Sequence, residues 1–234
     1  MAIRRVERID RMVPVRNAFM SVFDKSGLSA FVNGLIEECP EIMIYSTGGT
    51  FKQLVETLGD KAEQYVQEVS KYTGMQETEG GLVKSLHHKL FLGYLTETYC
   101  YGHQNDLKRE NAVPIDLFVG NLYPFNDAIA KEGADIEDAR GNIDVGGPSA
   151  TRAAAKNWHR VLTVVDPNDY ESVLEELMAC KGCTTAETRF HLQKKAWAML
   201  ARYDGAIAEY NANVSFKEAM NAYTIVGIDS KGGE

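Results

Sequence analysis

Three short segments combine glycine with hydroxyl or charged side chains in a way that suits the binding of a phosphate ester. Tyr45-Ser-Thr-Gly-Gly-Thr50 lies between a predicted strand and a predicted helix, Ser21-Val-Phe-Asp-Lys25 ends the first predicted strand, and Asn142-Ile-Asp-Val-Gly-Gly147 precedes another helix. Backbone N–H groups and the positive dipole at a helix start can surround an anion. A glycine pair also makes an ordinary tight turn with Thr50 as the helix cap, so the first segment alone leaves both interpretations open.

Two lysines and one aspartate near these segments could carry chemistry. Lys25 could bind the same phosphate as the Tyr45–Thr50 segment if the first two strands pair. An isolated lysine, however, is usually a solvated surface charge. Asp144 precedes the glycine pair of the third segment, and Lys156 lies near the end of the helix that follows. We expect these two side chains to meet across the site, either for proton transfer or as a structural ion pair.

The elements that must position these segments alternate along the chain. Short apolar strands between amphipathic helices predict a doubly wound, mainly parallel α/β sheet that binds its ligands at the carboxyl ends of the strands. Ser26 is expected to cap the first helix. The predicted strands cover about 18–23, 42–45, 65–69, 115–121 and 161–165, and the predicted helices include about 26–38, 50–58, 148–157, 168–179, 185–201 and 203–211.

The sequence favours one α/β body with a helical C-terminal extension and a segment at each end. Residues 16–211 form the predicted domain, and residues 1–15 form a charged arm or an extra helix. Residues 212–234 form a tail, whose last part, 229–234, is expected to be flexible.

Composition excludes several classes of function. The 234 residues carry 25 basic and 33 acidic side chains, a net charge of −8, so a general electrostatic footprint for nucleic acid is absent. No apolar stretch approaches the roughly 18–20 residues of a membrane-spanning helix. The N-terminal residues lack the apolar segment of a secretory signal. We therefore expect a cytoplasmic protein that binds neither nucleic acid nor membrane.

Cysteine and histidine give weak metal signals. Of the four cysteines, only Cys180 and Cys183 lie close together, as a single C-x-x-C without a second ligand pair. The five histidines show no metal-binding spacing. The sequence therefore predicts no metal site.

Seven ordered motifs carry a resemblance to a known family. They are Ser21-Val-Phe-Asp-Lys-Ser-Gly-Leu28, Ser46-Thr-Gly-Gly-Thr50, Val83-Lys-Ser-Leu-His87, Ile115-Asp-Leu117, Asn121-Leu-Tyr-Pro-Phe125, Asn142-Ile-Asp-Val-Gly-Gly-Pro148 and Arg152-Ala-Ala-Ala-Lys-Asn157. Together they resemble the IMP cyclohydrolase domain of the bifunctional AICAR transformylase/IMP cyclohydrolase family of purine biosynthesis. The resemblance covers roughly residues 16–211.

The resemblance implies a methylglyoxal-synthase-like α/β fold and a ring closure. In the implied reaction, 5-formamidoimidazole-4-carboxamide ribotide closes to IMP with loss of water, and no cofactor or metal is required. The chain length suggests a free-standing cyclohydrolase without the formyltransferase domain, so a separate formyltransferase would supply its substrate. The family also implies a homodimer.

The resemblance assigns roles to individual residues. Four would perform the chemistry, with the oxyanion stabilised by the first two and the proton handled by the last two: Lys84, Tyr123, Asp144 and Lys156. Seven would hold the ribotide phosphate: Ser21, Lys25, Thr47, Gly48, Gly49, Thr50 and Ser85. Asn121, Asp144 and Gly146 would contact the base.

Two departures from the family pattern concern the phosphate side of the site. Leu82 stands where the family has arginine, and Phe23 stands where it has serine. These changes keep open the alternative of a ribotide-binding regulatory protein that has lost turnover. Methylglyoxal synthase itself is disfavoured, because the motifs from Asn121 to Asn157 would then have no function.

Overall fold

The computed structural model describes residues 5–76, 78, 83 and 85–226. The chain divides into two compact units. The larger comprises residues 1–122 and 144–200, and the smaller comprises residues 123–143 and 201–234. Within the described part of the chain, no helix is both long and apolar enough to cross a membrane.

A five-stranded parallel sheet forms the centre of the larger unit, in the order β4-β3-β2-β5-β6. Its strands are β2 (Asn17–Ser21), β3 (Met43–Ser46), β4 (Val66–Glu68), β5 (Leu117–Gly120) and β6 (Leu162–Val164). The five predicted strands therefore exist, each shorter than or shifted by a residue or two from its predicted limits.

Helices connect these strands, as a parallel sheet requires. In chain order they are α1 (Leu28–Glu38), α2 (Gly48–Leu58), α3 (Ala62–Tyr65), α4 (Val69–Thr73), α5 (His88–Leu95), α6 (Tyr101–Arg109), α7 (Phe125–Ile129), α8 (Ile136–Gly141), α9 (Gly146–Lys156), α10 (Tyr170–Ala179), α11 (Ala186–Asn213) and α12 (Phe216–Met220). Short 3₁₀ turns cover Gly59–Lys61 and Pro167–Asp169.

Alternate residues of each strand face opposite sides of the sheet, and both sides are buried. One side packs against α1, α2 and α10, and the other packs against α5 and α9. The first side carries Ala18, Met20, Ile44, Leu117, Val119, Leu162 and Val164, and the second carries Phe19, Tyr45 and Phe118. Helices on both faces make the sheet doubly wound, which confirms the predicted fold class.

A buried ion pair closes the amino end of the sheet. The Asp116 carboxylate accepts the backbone N–H groups of Arg16 and Asn17 at 3.0 Å each, and it pairs with the Arg160 guanidinium at 3.1 Å. Arg160 also donates to two backbone carbonyls at the end of α5. Both side chains are nearly inaccessible, so the two charges are satisfied by each other and by the backbone.

Arg189 on α11 is fully buried and binds backbone carbonyls rather than a carboxylate. Its guanidinium donates to Thr184 O at 2.5 Å, Asp10 O at 2.7 Å, and the carbonyls of Trp158 and His159 at 3.2 Å. Burial lowers the pKa of this guanidinium to about 10. One side chain thus connects the N-terminal segment to the last third of the larger unit.

The N-terminal segment contains a strand that the sequence analysis describes as an arm or a helix. Strand β1 (Met12–Pro14) pairs antiparallel with β7 (Cys183–Thr185). A tight turn precedes β7, where the Cys183 N–H donates to Cys180 O at 3.2 Å. All four cysteines are free thiols.

The smaller unit contains α7, α8, α12 and the C-terminal part of α11. Phe125 packs edge-on against Tyr210, with ring centroids 5.8 Å apart, and the Tyr223 hydroxyl donates to Glu137 at 2.8 Å. The prediction of two helices over 185–201 and 203–211 is wrong, because α11 is continuous. Helix α12 lies in the predicted tail, and residues 229–234 fall outside the described residues.

Candidate functional site

The carboxyl ends of β3, β2 and β5 lie side by side, and each leads into a segment singled out from the sequence. Strand β2 ends at Ser21, β3 ends at Ser46, and β5 ends at Gly120. Because parallel strands end at the same edge of a sheet, these segments converge on one edge.

The turn after β3 presents backbone N–H groups. Thr47 is extended, Gly48 has a φ of +52°, and α2 begins at Gly48, two residues earlier than predicted. The first N–H groups of a helix have no acceptor within the helix. The positive φ at Gly48 is a conformation that side-chain-bearing residues disfavour, which accounts for a glycine there. The turn therefore offers an anion a set of N–H groups at the positive end of α2.

Lys25 lies over this turn. Its ammonium group donates to Phe23 O at 3.3 Å, and a Cβ built on Gly49 would lie 3.9 Å from Lys25 Nζ. The expected convergence of the two loops is thus present in the structure. A cation and a helix start a few ångströms apart suit a phosphate dianion.

The loop that carries Lys25 differs from its prediction at the start of α1. Ser26 does not cap the helix, which begins at Leu28 after Gly27 with a φ of +70° and no side-chain cap. Instead, the Asp24 carboxylate accepts the Ser26 N–H at 2.9 Å. Hydrogen bonds from Ser26 lower the pKa of Asp24.

Side chains from the first turn of α2 and from the loop after β5 hold the backbone around Lys25. The Thr50 hydroxyl accepts the Val22 N–H at 3.0 Å and donates to Val22 O at 3.1 Å. The Asn121 amide oxygen accepts the N–H groups of Phe23 and Asp24 at 2.7 and 2.8 Å, and its nitrogen donates to Asp24 O at 3.0 Å.

The turn before α9 gathers three of the proposed site residues. Asp144 Oδ1 accepts the Gly147 N–H at 3.0 Å, which places the carboxylate at the positive end of the helix. A Cβ built on Gly146 would lie 3.0 Å from Ser85 Oγ and 3.9 Å from Asp144 Oδ1. A Cβ on Gly147 would collide with the Asp144 carboxylate and lie 2.7 Å from the Leu122 side chain. An alanine at this second position would force both side chains to move.

The expected meeting of Asp144 and Lys156 within one chain does not occur. Asp144 lies just before the start of α9, and Lys156 is the last residue of that helix. Ten residue steps of 1.5 Å separate the helix ends by about 15 Å. The next residue, Asn157, donates to Tyr94 O and Thr96 O, beside Arg160 at the amino end of the sheet. Lys156 therefore lies at the opposite end of the sheet from the turn between β3 and α2.

The remaining proposed residues are placed as follows. Tyr123 belongs to the smaller unit, whereas the converging loops belong to the larger one. Lys84 and Leu82 lie outside the described residues. Phe23, which stands where the family has serine, is 51% exposed, so the apolar ring faces solvent beside Lys25.

Among the residues that the structure describes, one group of candidate metal ligands lies outside the motifs. Glu97, Cys100 and His103 each place a ligand atom within 4.8 Å of the others. His103 Nδ1 already accepts the Glu97 N–H at 3.1 Å, so the neutral ring carries its proton on Nε2 and offers no lone pair to an ion. The spacing E-x-x-C-x-x-H was the signal in the sequence, and the hydrogen bond explains the arrangement without a metal.

Comparisons with known proteins agree with the motifs. The family described as AICARFT/IMPCHase bienzyme matches residues 154–231. The bifunctional purine biosynthesis protein PurH of Acidithiobacillus ferrooxidans is 43% identical over 199 residues, and that of Magnetococcus marinus is 42% identical over 199 residues. Each alignment covers 85% of this chain but only 37% and 36% of the respective relative, so the chain spans little more than a third of their length.

A solved structure agrees with the fold. The crystal structure of ForH matches with a TM-score of 0.68 and 28% identity, covering 83% of this chain and 98% of that one. The α/β architecture expected from the resemblance is therefore confirmed.

Proposed function

Since this chain is homologous to the IMP cyclohydrolase domain of the AICARFT/IMPCHase bienzymes, we propose that it is an IMP cyclohydrolase of purine biosynthesis. The observation that carries the proposal is the convergence of Lys25, the start of α2 and the Asp144 turn on one edge of the sheet. The substrate is 5-formamidoimidazole-4-carboxamide ribotide, and the protein acts in the cytoplasm with its formylated substrate supplied by a separate formyltransferase.

The ribotide phosphate binds at the β3–α2 turn in this proposal. The N–H groups of Gly48, Gly49 and Thr50 and the ammonium group of Lys25 supply positive charge to it. Hydroxyls at the same edge complete the set that the resemblance assigns to the phosphate: Ser21, Thr47 and Ser85. With the phosphate held there, the base extends toward Gly146 and Asp144.

The ring closure needs a proton acceptor and a stabilised oxyanion. The carboxamide nitrogen attacks the formyl carbon and loses one proton as the C–N bond forms. The formamido nitrogen then loses its proton as a C=N bond forms, and the former formyl oxygen takes up both protons and leaves as water when its C–O bond breaks. Asp144 accepts the proton from the carboxamide nitrogen. Lys84 and Tyr123, by the resemblance, stabilise the charge on the formyl oxygen. The two reacting groups already share one ring, so holding them in place contributes much of the acceleration.

Lys156 joins this chemistry from a second copy of the chain. Val145, Ser149, Arg152 and Lys156 follow the 4-3-4 spacing of one helix face, and Val145 and Lys156 are exposed. Two copies of α9 packed antiparallel about a twofold axis bring each Lys156 to the Asp144 end of its partner. Opposite charges at the two ends of α9 favour this arrangement over a parallel one. The proposed homodimer therefore completes both sites.

The purified chain incubated with the formylated ribotide tests the proposal. IMP formation followed by ultraviolet absorbance, and lost in Lys84→Ala, is the expected result. Saturable IMP binding without ring closure would indicate that the chain is a ribotide-binding regulatory protein and not an enzyme. Methylglyoxal formed from dihydroxyacetone phosphate would instead indicate the sister activity of the same fold.

A further inference from the structure

The loop that carries Lys25, Val22–Ser26, is held by side chains whose hydrogen bonds leave little for a ligand. Thr50 is 3% exposed, and its hydroxyl exchanges two hydrogen bonds with the backbone of Val22. A hydroxyl has one hydrogen, and this one goes to Val22 O. A phosphate oxygen only accepts hydrogen bonds, so the Thr50 side chain has no proton to give it.

Asn121 is engaged in a similar way from the other side of the loop. Both lone pairs of its amide oxygen are used by the N–H groups of Phe23 and Asp24. One hydrogen of its nitrogen goes to Asp24 O. A base contact would have to use the single remaining hydrogen.

Thr50 and Asn121 together bind the backbone of three successive residues, Val22, Phe23 and Asp24. The next residue is Lys25, whose ammonium group reaches Gly49. A loop without these bonds would leave its backbone groups to water and its conformation unfixed, and Lys25 would lose its position over the start of α2.

We propose that Thr50 and Asn121 are positioning residues that act through Lys25, not side-chain ligands of the phosphate and the base. The inference rests on the proposed function, because it assumes that Lys25 meets the ribotide phosphate. It revises the roles that the family resemblance assigns to these two side chains.

Titration calorimetry with IMP, ribose 5-phosphate and inosine separates the two kinds of role. Asn121→Ala and Thr50→Val should each weaken the binding of IMP and of ribose 5-phosphate by the same factor, about tenfold, and leave the binding of inosine unchanged. Thr50→Ser keeps the hydroxyl and should lose much less affinity for IMP than Thr50→Val does. Asn121→Ala that weakens inosine and IMP but not ribose 5-phosphate would make Asn121 a base ligand.

A double-mutant cycle with Lys25→Met tests whether the effect passes through Lys25. Once Lys25 is gone, adding Asn121→Ala or Thr50→Val should change IMP affinity less than twofold. A further tenfold loss would mean a direct contact and would overturn the inference. Thermal melting of every variant checks folding, and Asn121→Ser replaces Asn121→Ala in the cycle if the alanine variant is unfolded. A wild type that binds none of the three ligands would reject the proposed function itself.

Discussion

The two ends of the central sheet differ in how their charged side chains are buried and paired. At the amino end, Asp116 and Arg160 are buried, and they are satisfied by each other and by backbone groups. At the carboxyl end, polar side chains hold loops in place while Lys25 stays partly accessible beside the open start of α2. One end thus satisfies its buried charges internally, and the other places a partly accessible lysine beside the first N–H groups of a helix.

The largest effect should come from Lys156. This residue is an exception to the contrast between the two ends, because it lies at the amino end but is assigned to the chemistry. Asp144→Asn and Lys156→Ala should each lower turnover by roughly 10²- to 10⁴-fold, the usual range for a lost proton-transfer group. Mixing the two variants with subunit exchange should restore about one quarter of the wild-type activity, because half of the dimers are mixed and each has one intact site.

IMP formation in the mixture measures this recovery, with Lys61→Ala, a surface lysine, as the unaffected control. A mixture no more active than its components would place Lys156 outside the site.

Removing Arg160 should destabilise the amino end without touching ligand binding. Arg160→Met leaves the buried Asp116 charge unpaired, so urea unfolding should show a loss of about 3–5 kcal/mol. Arg109→Met, which removes an exposed 2.7 Å pair with Asp106, should leave the unfolding midpoint nearly unchanged, because solvent screens that pair. Equal losses in the two variants would mean that burial does not distinguish the pairs.

Adding one methyl group at the carboxyl end should lower turnover as well as stability. Gly147→Ala pushes the Asp144 carboxylate away and also meets Leu122, so we expect a stability loss of about 1–3 kcal/mol from overpacking and a fall in turnover. Gly141→Ala, where a Cβ would meet nothing within 4 Å, is the matched control. Turnover at the wild-type level in Gly147→Ala would mean that Asp144 takes no part in the reaction.

The smallest effect is the reactivity of a thiol at the amino end. Cys39 follows α1 and is buried, which raises its thiol pKa to about 12. At pH 8 only about 10⁻⁴ of it is thiolate, so alkylation should be slow and should accelerate roughly tenfold per pH unit up to pH 10. Mass spectrometry after iodoacetamide treatment should find Cys180 and Cys183 labelled first. Rapid labelling of Cys39 at pH 8 would show that its surroundings open.

Much of the fold follows from the sequence because strands buried on both faces are short, apolar and separated by amphipathic helices. The glycine-rich turns could be placed at strand ends for the same reason. The split predicted at residue 202 was wrong, because α11 runs without a break from Ala186 to Asn213. Local spacing carries no signal for the burial of Arg189, because three of its four carbonyl partners, Asp10, Trp158 and His159, come from distant segments.

The candidate site was only partly predictable. Glycine, lysine and hydroxyl residues beside a helix start indicate an anion site, and the structure brings Lys25 to Gly49. The positions of Asp144 and Lys156 followed instead from the length of α9, since about three turns of helix separate its ends. The bonds of Thr50 and Asn121 to a loop from another strand depend on strand order, which the spacing of residues does not encode.

A single-turnover experiment with the protein in large excess over 5-formamidoimidazole-4-carboxamide ribotide measures whether this chain closes the ring. Because a saturating protein concentration binds all of the ribotide, weak binding of its phosphate does not lower the observed rate. That rate therefore reports ring closure alone. The account predicts exponential formation of IMP, at a rate that saturates with protein concentration and falls at least a hundredfold in Asp144→Asn. A rate no faster than that of the ribotide in buffer, with IMP still bound, would contradict it.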